Sequence, residues 1–362
     1  MKKKLLSIML CVAMVASMAV GCASKKESSS DTEKKAEFKV GFAIKTQDSP
    51  YFVALVKAVK ELADKEGWKC TVLDAGGDTA KEAENMDTFV AQGMDLIFLD
   101  SVEPDACIPS IDAAAEAEIP VINLDSGVGK CNQCTTVYSD NKQNGRLCGK
   151  AYVEYLKANN KADQEIVSVL LSGVKGNVAG QERRMGLFAG IIEARTGCTE
   201  EEAWTASQKF EDELTAGGKA TNADAKFTVR GQGWGAWTKE EGLTAAEDLI
   251  TANKDLTCIL GENDQMLFGG MDALDNAGIK GVDIAAAADG AKEAYDMIKK
   301  GGNNPYIVTG ENSPYKVTEK GIEIAKEILV DGKDWKSYDD VTLTEAVAVT
   351  KDNVDERYDF GF

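Results

Sequence analysis

Residues 39–67 read KVGFAIKTQDSPYFVALVKAVKELADKEG, and the architecture follows from this one stretch. Lys39–Ile44 is a short β-rich run that breaks at a polar loop. Ser49 then offers a capping hydroxyl, with Pro50 at the first helical position. Phe52, Leu55, Val56, Val59 and Leu62 fall on one helical face, and Gly67 stops the helix. A strand feeding straight into an amphipathic helix is half of a βαβ unit, whose next strand runs parallel to the first.

The pattern repeats on the C-terminal side. Residues 70–74, 95–100 and 120–125 read as strands, with helices predicted over 79–92 and 104–118. Further strands are predicted at 165–171, 226–230, 256–261, 283–288 and 306–309. Helices at 179–195, 239–252, 264–277, 291–300 and 314–330 alternate with them. Residues 95–100 and 283–288 are apolar at nearly every inner position, as parallel strands covered on both faces are. The alternation predicts an α/β protein with doubly wound parallel sheets, and 362 residues require two lobes. Residues 196–225 break the rhythm. They are acidic, carry Gly217-Gly218 and read as an insertion on the second lobe, with one short helix near 200–208.

The opening residues bear on location. Lys2, Lys3 and Lys4 precede an apolar run, Leu5 to Val20, that closes on Ala19-Val20-Gly21-Cys22. The run is short and ends on small residues, the layout of a secretory signal over residues 1–21. The Ala-Val-Gly-Cys end resembles the lipobox of bacterial lipoproteins, with Ala19 where Leu is usual. The resemblance implies acylation at Cys22 and an extracytoplasmic protein anchored to the bacterial cell membrane by lipid. Residues 22–36 are polar and charged, the composition of a flexible tether.

Composition narrows the function. The formal net charge is −19, with no basic stripe, which argues against nucleic acid as a partner. The chain has no histidine, which removes Ser-His-Asp and Cys-His catalysis and most catalytic zinc sites. Of nine cysteines, seven lie beyond Cys22, an odd number that makes no complete disulfide framework. Cys131 and Cys134, the one close pair, read equally as a local disulfide or as two free thiols.

In open α/β sheets ligands bind beyond the carboxyl ends of the strands. The residues there are Lys45, Ser49, Tyr51 and Phe52; Asp125 and Ser126; Arg183; Trp234 and Trp237; Asn263 and Asp264; Asp289; and Asn312. Carboxylates and amides suit vicinal hydroxyls, an arginine can bridge two oxygens, and aromatic faces cover the C–H side of a sugar. No glycine-rich phosphate cradle accompanies them, since Asp74-Ala75-Gly76-Gly77-Asp78 lacks the required spacing. The best carboxylate set for an enzyme, Glu262, Asp264 and Asp289, has no partner nucleophile or metal, so the protein reads as a binder and not an enzyme.

Several motifs in order carry a family resemblance. They are Ser49-Pro50-Tyr51-Phe52, Val72-Leu73-Asp74, residues 119–125 (IPVINLD), Tyr138-Ser139-Asp140-Asn141 with Gly145, residues 181–186 (QERRMG), residues 261–266 (GENDQM) with Gly269, and Asp289-Gly290. With them the chain resembles the ribose- and galactose-type periplasmic binding proteins, the solute-binding components of bacterial ABC sugar importers. The resemblance implies the type I periplasmic binding protein fold: two doubly wound parallel-sheet lobes joined by a multi-strand hinge. It implies an N-terminal lobe from residues 37–139 plus 313–339 and a C-terminal lobe from residues 140–312 plus 340–362. The implied site is Lys45, Ser49, Tyr51, Phe52, Asp125, Ser126, Arg183, Trp237, Asn263, Asp289 and Asn312, with Trp234 competing for the place of Trp237. Ser126 stands where many members have Arg, and Lys45 where they have a small polar residue, which argues against ribose itself.

The implied ligand is a monosaccharide or polyol, bound by a monomer and delivered to the transmembrane subunits of an ABC permease. A sugar sensor docking a membrane receptor kinase is the alternative. No cofactor or metal is expected. Asp140 to Gly145 mimics a calcium loop, but Lys142 replaces the third ligand and Ala151 the Glu of the twelfth position.

Overall fold

Strand β1 (Lys39–Ile44) feeds helix α1 (Pro50–Glu66), and the chain then continues through β2 (Lys69–Asp74), α2 (Thr79–Ala91), β3 (Leu96–Asp100), α3 (Ile108–Glu116), β4 (Val121–Leu124) and β5 (Thr135–Ser139). This is a computed structural model that describes residues 37–362. The signal segment, Cys22 and the tether lie outside the described residues. The chain next builds α4 (Asn141–Ala158), β6 (Ile166–Ser172), α5 (Val178–Thr196), α6 (Glu200–Gly217), β7 (Ala220–Asn222) and β8 (Phe227–Trp234). It continues through α7 (Lys239–Ala252), β9 (Cys258–Gly261), α8 (Asp264–Asn276), β10 (Asp283–Ala286), α9 (Lys292–Lys300) and β11 (Tyr306–Gly310). Last come α10 (Pro314–Leu329), β12 (Val341–Thr344) and β13 (Ala348–Val349), followed by short helical turns.

The strands form two sheets. The first runs β2-β1-β3-β4-β5-β12 and is parallel throughout. The second runs β7-β8-β6-β9-β10-β11-β13, parallel except at its two edges. Apolar side chains fill both faces of each, led by Phe42, Phe89 and Phe98 in the first and by Phe188, Phe227 and Phe268 in the second. The strand order reverses between β1 and β3 and between β6 and β9, so each lobe opens its crevice there. The chain crosses between sheets after β5, after β11 and after β12, which makes the expected multi-strand hinge.

Three parts depart from the sequence reading. Val341–Thr344 was expected in the C-terminal lobe, but it pairs with β5 in the first sheet, where Thr342 and Thr135 share a 3.0 Å hydroxyl contact. The first crossing lies next to α4, a helix the sequence pattern did not announce. Its Gly145 and Gly149 face Gly186 and Gly190 of α5, and a Cβ at any of these would strike the backbone of the other helix. Helices packed through glycine lack the apolar stripe by which helices are recognised.

The insertion is the third departure. Instead of one short helix near 200–208 it forms α6, eighteen residues long, opened by a capping box between Thr199 and Glu202. Phe210 stacks on Phe227 at 4.7 Å, and β7 pairs with the sheet edge. Glu211 accepts from Arg184 Nε at 3.0 Å, and the Arg184 Nη1 donates to Glu262 at 2.9 Å. All three are buried, so α6 is bolted into the second lobe by a desolvated ion triad. Breaking one partner of such a group costs about 3–5 kcal/mol, far more than an exposed pair.

Candidate ligand-binding cleft

At the crevice of the first lobe, Lys45 leaves the end of β1 and Ser126 follows β4. Lys45 Nζ donates to Ser126 Oγ at 2.6 Å and lies 4.3 Å from the centre of the Phe52 ring. Ser126 Oγ in turn donates to Asp100 Oδ1 at 2.6 Å. Asp125 sits between β4 and Ser126 with a φ of 65°, a left-handed turn that Asp tolerates better than most residues. The Tyr51 ring packs edge-on against Phe52 and Phe362. Its hydroxyl lies between Asn312 Oδ1, at 3.4 Å, and the Asp125 carboxylate. Burial first, and then Asp125, push that hydroxyl well above its usual range, so it stays neutral and donates. Ser49 precedes α1 but its side chain caps nothing.

The second lobe supplies a buried ion pair. Arg183 Nη1 donates to Asp289 Oδ1 at 2.8 Å, while its Nε donates to Asn141 Oδ1 at 2.9 Å. Arg183 is 7% exposed and Asp289 9%. A solvated helix face is therefore not where Arg183 or its neighbour Arg184 belongs. Asp264 is wholly buried and takes four bonds: from Gly290 N, Ala291 N, the Tyr306 hydroxyl and the Thr309 hydroxyl. It holds the turn that carries Asp289. Burial raises the Asp289 carboxyl to about 6, against the pull of Arg183.

Trp237 closes one side. The chain turns left-handed at Ala236 and Trp237, and the indole lies so close over Gly173 that a Cβ there would overlap it. The ring faces Arg183 at 5.6 Å. Trp234 points elsewhere: it is 39% exposed and lies 6.0 Å from Arg184. Asn263 caps α8, accepting from Met266 N at 3.1 Å, and donates to the Trp237 carbonyl at 3.3 Å. Asn312 sits in the crossing after β11. Its Oδ1 accepts from Ser139 Oγ at 2.7 Å as well as from Tyr51, and its backbone N–H donates to the Asp289 carbonyl at 2.8 Å.

The structure thus gathers Tyr51, Asp125, Arg183, Asp289 and Asn312 around one place, with Lys45, Phe52 and Ser126 on its first-lobe wall and Trp237 and Asn263 on its second. Ser49 has no such contact. Sequence reasoning missed Asp100, Ser139, Asn141 and Phe362. Asp100 carried a signal as the polar end of an apolar strand, and Ser139 and Asn141 lay in the Tyr138-Ser139-Asp140-Asn141 motif without being assigned to the site. Glu262 does no open-cleft work, because Gly173 N and Arg184 saturate it. Asp140 caps α4 through Gln143 N. Cys131 and Cys134 are free thiols. Among the described residues no cluster of acidic and thiol side chains is placed to hold a metal, and no helix is long and apolar enough to cross a membrane.

Residues 40–334 match the profile of a family described as periplasmic binding protein domain. The ribose import binding protein RbsB of Salmonella typhimurium is 26% identical over 327 residues, spanning 90% of this chain and 93% of its own. The galactofuranose-binding protein YtfQ of Escherichia coli is 27% identical over 276 residues, spanning 74% and 76%. A solved ABC transporter solute binding protein from Mycobacterium smegmatis, with bound glycerol, superposes with a TM-score of 0.70 at 25% identity, over 89% of this chain and 96% of that one.

The raised Asp289 carboxyl has a consequence for stability. A carboxyl whose folded value exceeds its unfolded one binds more protons when folded, so stability falls as pH rises through that window. The window for Asp289 runs from about 4 to about 6. Ligand-free protein should therefore lose more stability between pH 5 and pH 8 than an Asp289→Asn variant does, measured by urea denaturation. Equal losses would mean that the Asp289 carboxyl titrates in the ordinary range.

Proposed function

The chain belongs to the periplasmic binding protein family, a family of extracytoplasmic solute-binding proteins and not enzymes, and we propose that its solute is a neutral monosaccharide or polyol. The observation that carries this reading is the Arg183–Asp289 pair. It is fixed on both sides by Asn141 and Asn312, next to the Trp237 ring and within electrostatic reach of Asp125. A guanidinium and a carboxylate held side by side can bridge vicinal hydroxyls, donor on one side and acceptor on the other. Asp125, Asn263 and Asn312 add acceptors and amides, while Trp237 and Phe52 cover the C–H faces. Lys45 and Ser126 offer further polar contacts. Relatives named for ribose and galactofuranose, and a relative crystallised with glycerol, support a polyhydroxylated ligand.

The protein works as a monomer that delivers its ligand to the transmembrane subunits of an ABC permease, with no cofactor. Cys22 carries the lipid that holds it at the membrane, and residues 23–36 are the tether.

Calorimetry against a panel of pentoses, hexoses and polyols in EDTA should find one ligand bound one-to-one. Asp289→Ala should weaken it about tenfold or more, because each unsatisfied buried hydroxyl costs about 1–3 kcal/mol. Binding confined to amino acids, peptides or divalent ions would refute the sugar reading. The anchor has its own check. Cys22→Ala should release folded protein from the membrane, and a variant that stays bound through detergent-free washing would rule out the lipid.

A further inference from the structure

Asp100 closes β3 at the floor of the first-lobe crevice, wholly buried and with no assigned part in binding. Its Oδ1 accepts a hydrogen bond from Ser126 Oγ, and its Oδ2 is buried without a hydrogen-bond partner. Ser126 Oγ therefore has no proton left for a ligand, and it accepts from Lys45 Nζ. The Lys45 ammonium stands 3.7 Å from Asp100 Oδ1, too far for a hydrogen bond but close enough for its charge to be balanced. Lys45 and Ser126 are partly exposed, whereas Asp100 is wholly buried.

Two cations, Lys45 and Arg183, thus meet three carboxylates, Asp100, Asp125 and Asp289, at the cleft walls. We propose that Asp100 is a specificity-determining residue: by balancing Lys45 through Ser126, it makes the first-lobe wall accept neutral sugars and reject their carboxylate-bearing counterparts. This rests on the sugar reading above. Without the Asp100 charge, Lys45 becomes an uncompensated cation beside the ligand, and an acidic sugar gains a partner.

The same geometry makes the selection depend on pH. Asp100 faces Lys45 after β1, Tyr51 on α1, Glu82 on α2, and Asp125 and Ser126 after β4. Burial pushes its carboxyl up to about 7, with Lys45 and the Ser126 bond opposing and Asp125 and Glu82 adding to the rise. Below that value the carboxyl is protonated and the Lys45 charge is exposed.

The test compares matched probes, D-galactose with D-galacturonate and D-glucose with D-glucuronate, by calorimetry from about pH 5.5 to about pH 8.5. Wild type should favour the neutral member most strongly at high pH. Asp100→Asn should move the ratio toward the acid by about tenfold and remove the part of its pH dependence centred near 7, leaving the part near 6 that Asp289 carries, while Glu82→Gln keeps both. Lys45→Met with Asp100→Asn, which removes both charges together, should restore preference for the neutral sugar and serves where the single variant folds poorly. In parallel, the Lys45 ε-carbon resonance of ligand-free protein should change position as the neighbouring Asp100 carboxyl ionises at about 7 in wild type and show no such step in Asp100→Asn. An unchanged ratio in Asp100→Asn, or a Lys45 resonance blind to pH, overturns the proposal. If no sugar on the panel binds, the sugar reading fails, and the Lys45 resonance still decides whether Asp100 governs that ammonium.

Discussion

Arg183 and Asp289 face each other at 2.8 Å with both side chains almost wholly out of water. Taking two charges out of water costs several kcal/mol per ion, and their attraction often does no more than offset it. The surrounding structure is organised to hold the pair nonetheless. Asn141 fixes the guanidinium, the Asp264 turn carries the carboxylate, and Asn312 docks onto the Asp289 backbone. Behind it, the Arg184–Glu211–Glu262 triad ties the adjacent turn of α5 to α6 and to the end of β9. A buried pair so heavily supported does more for orientation than for stability, and orientation is what hydroxyl recognition needs.

Parallel strands explain why these groups meet. Each sheet sends its strand ends, where the polar residues lie, toward its own crevice, and three crossings join the two sheets. Tyr51 on α1 and Ser139 at the end of β5 both donate to Asn312 in the second crossing, and Tyr51 also packs on Phe362, so a few residues carry the contact between the lobes here. Such a junction can rotate by adjusting a few crossing residues without breaking either sheet, which is how hinged proteins of two lobes close on a ligand.

Much of this was legible in the letters. The 39–67 stretch predicts its strand and helix to the residue, because Ser49-Pro50 and Gly67 are strong local signals. The strand-end rule found Arg183, Asp289, Asn312 and Asp125, since polar residues after apolar strands have few other reasons to be there. Helix α4 was hidden by its glycines, and β12 by being only four residues, Val-Thr-Leu-Thr, none of them buried. The start of α6 reads as a short helix near 200–208, but the acidic composition hides its continuation to Gly217. Asp100, Asn141 and the Arg184 triad act through partners 26 to 78 residues distant, which no local pattern encodes. The ion pair of Asp289 with Arg183 joins residues 106 positions apart, which the letters alone do not pair.

The central claim is that one ligand is held by groups of both lobes, which demands that the lobes draw together upon it. Small-angle X-ray scattering of the body with and without a saturating sugar measures this directly. The account predicts a smaller radius of gyration with sugar in wild type and no such contraction at the same concentration in Asp289→Ala. A radius unchanged at saturation in wild type would contradict it, because the ligand would then be bound by one lobe alone.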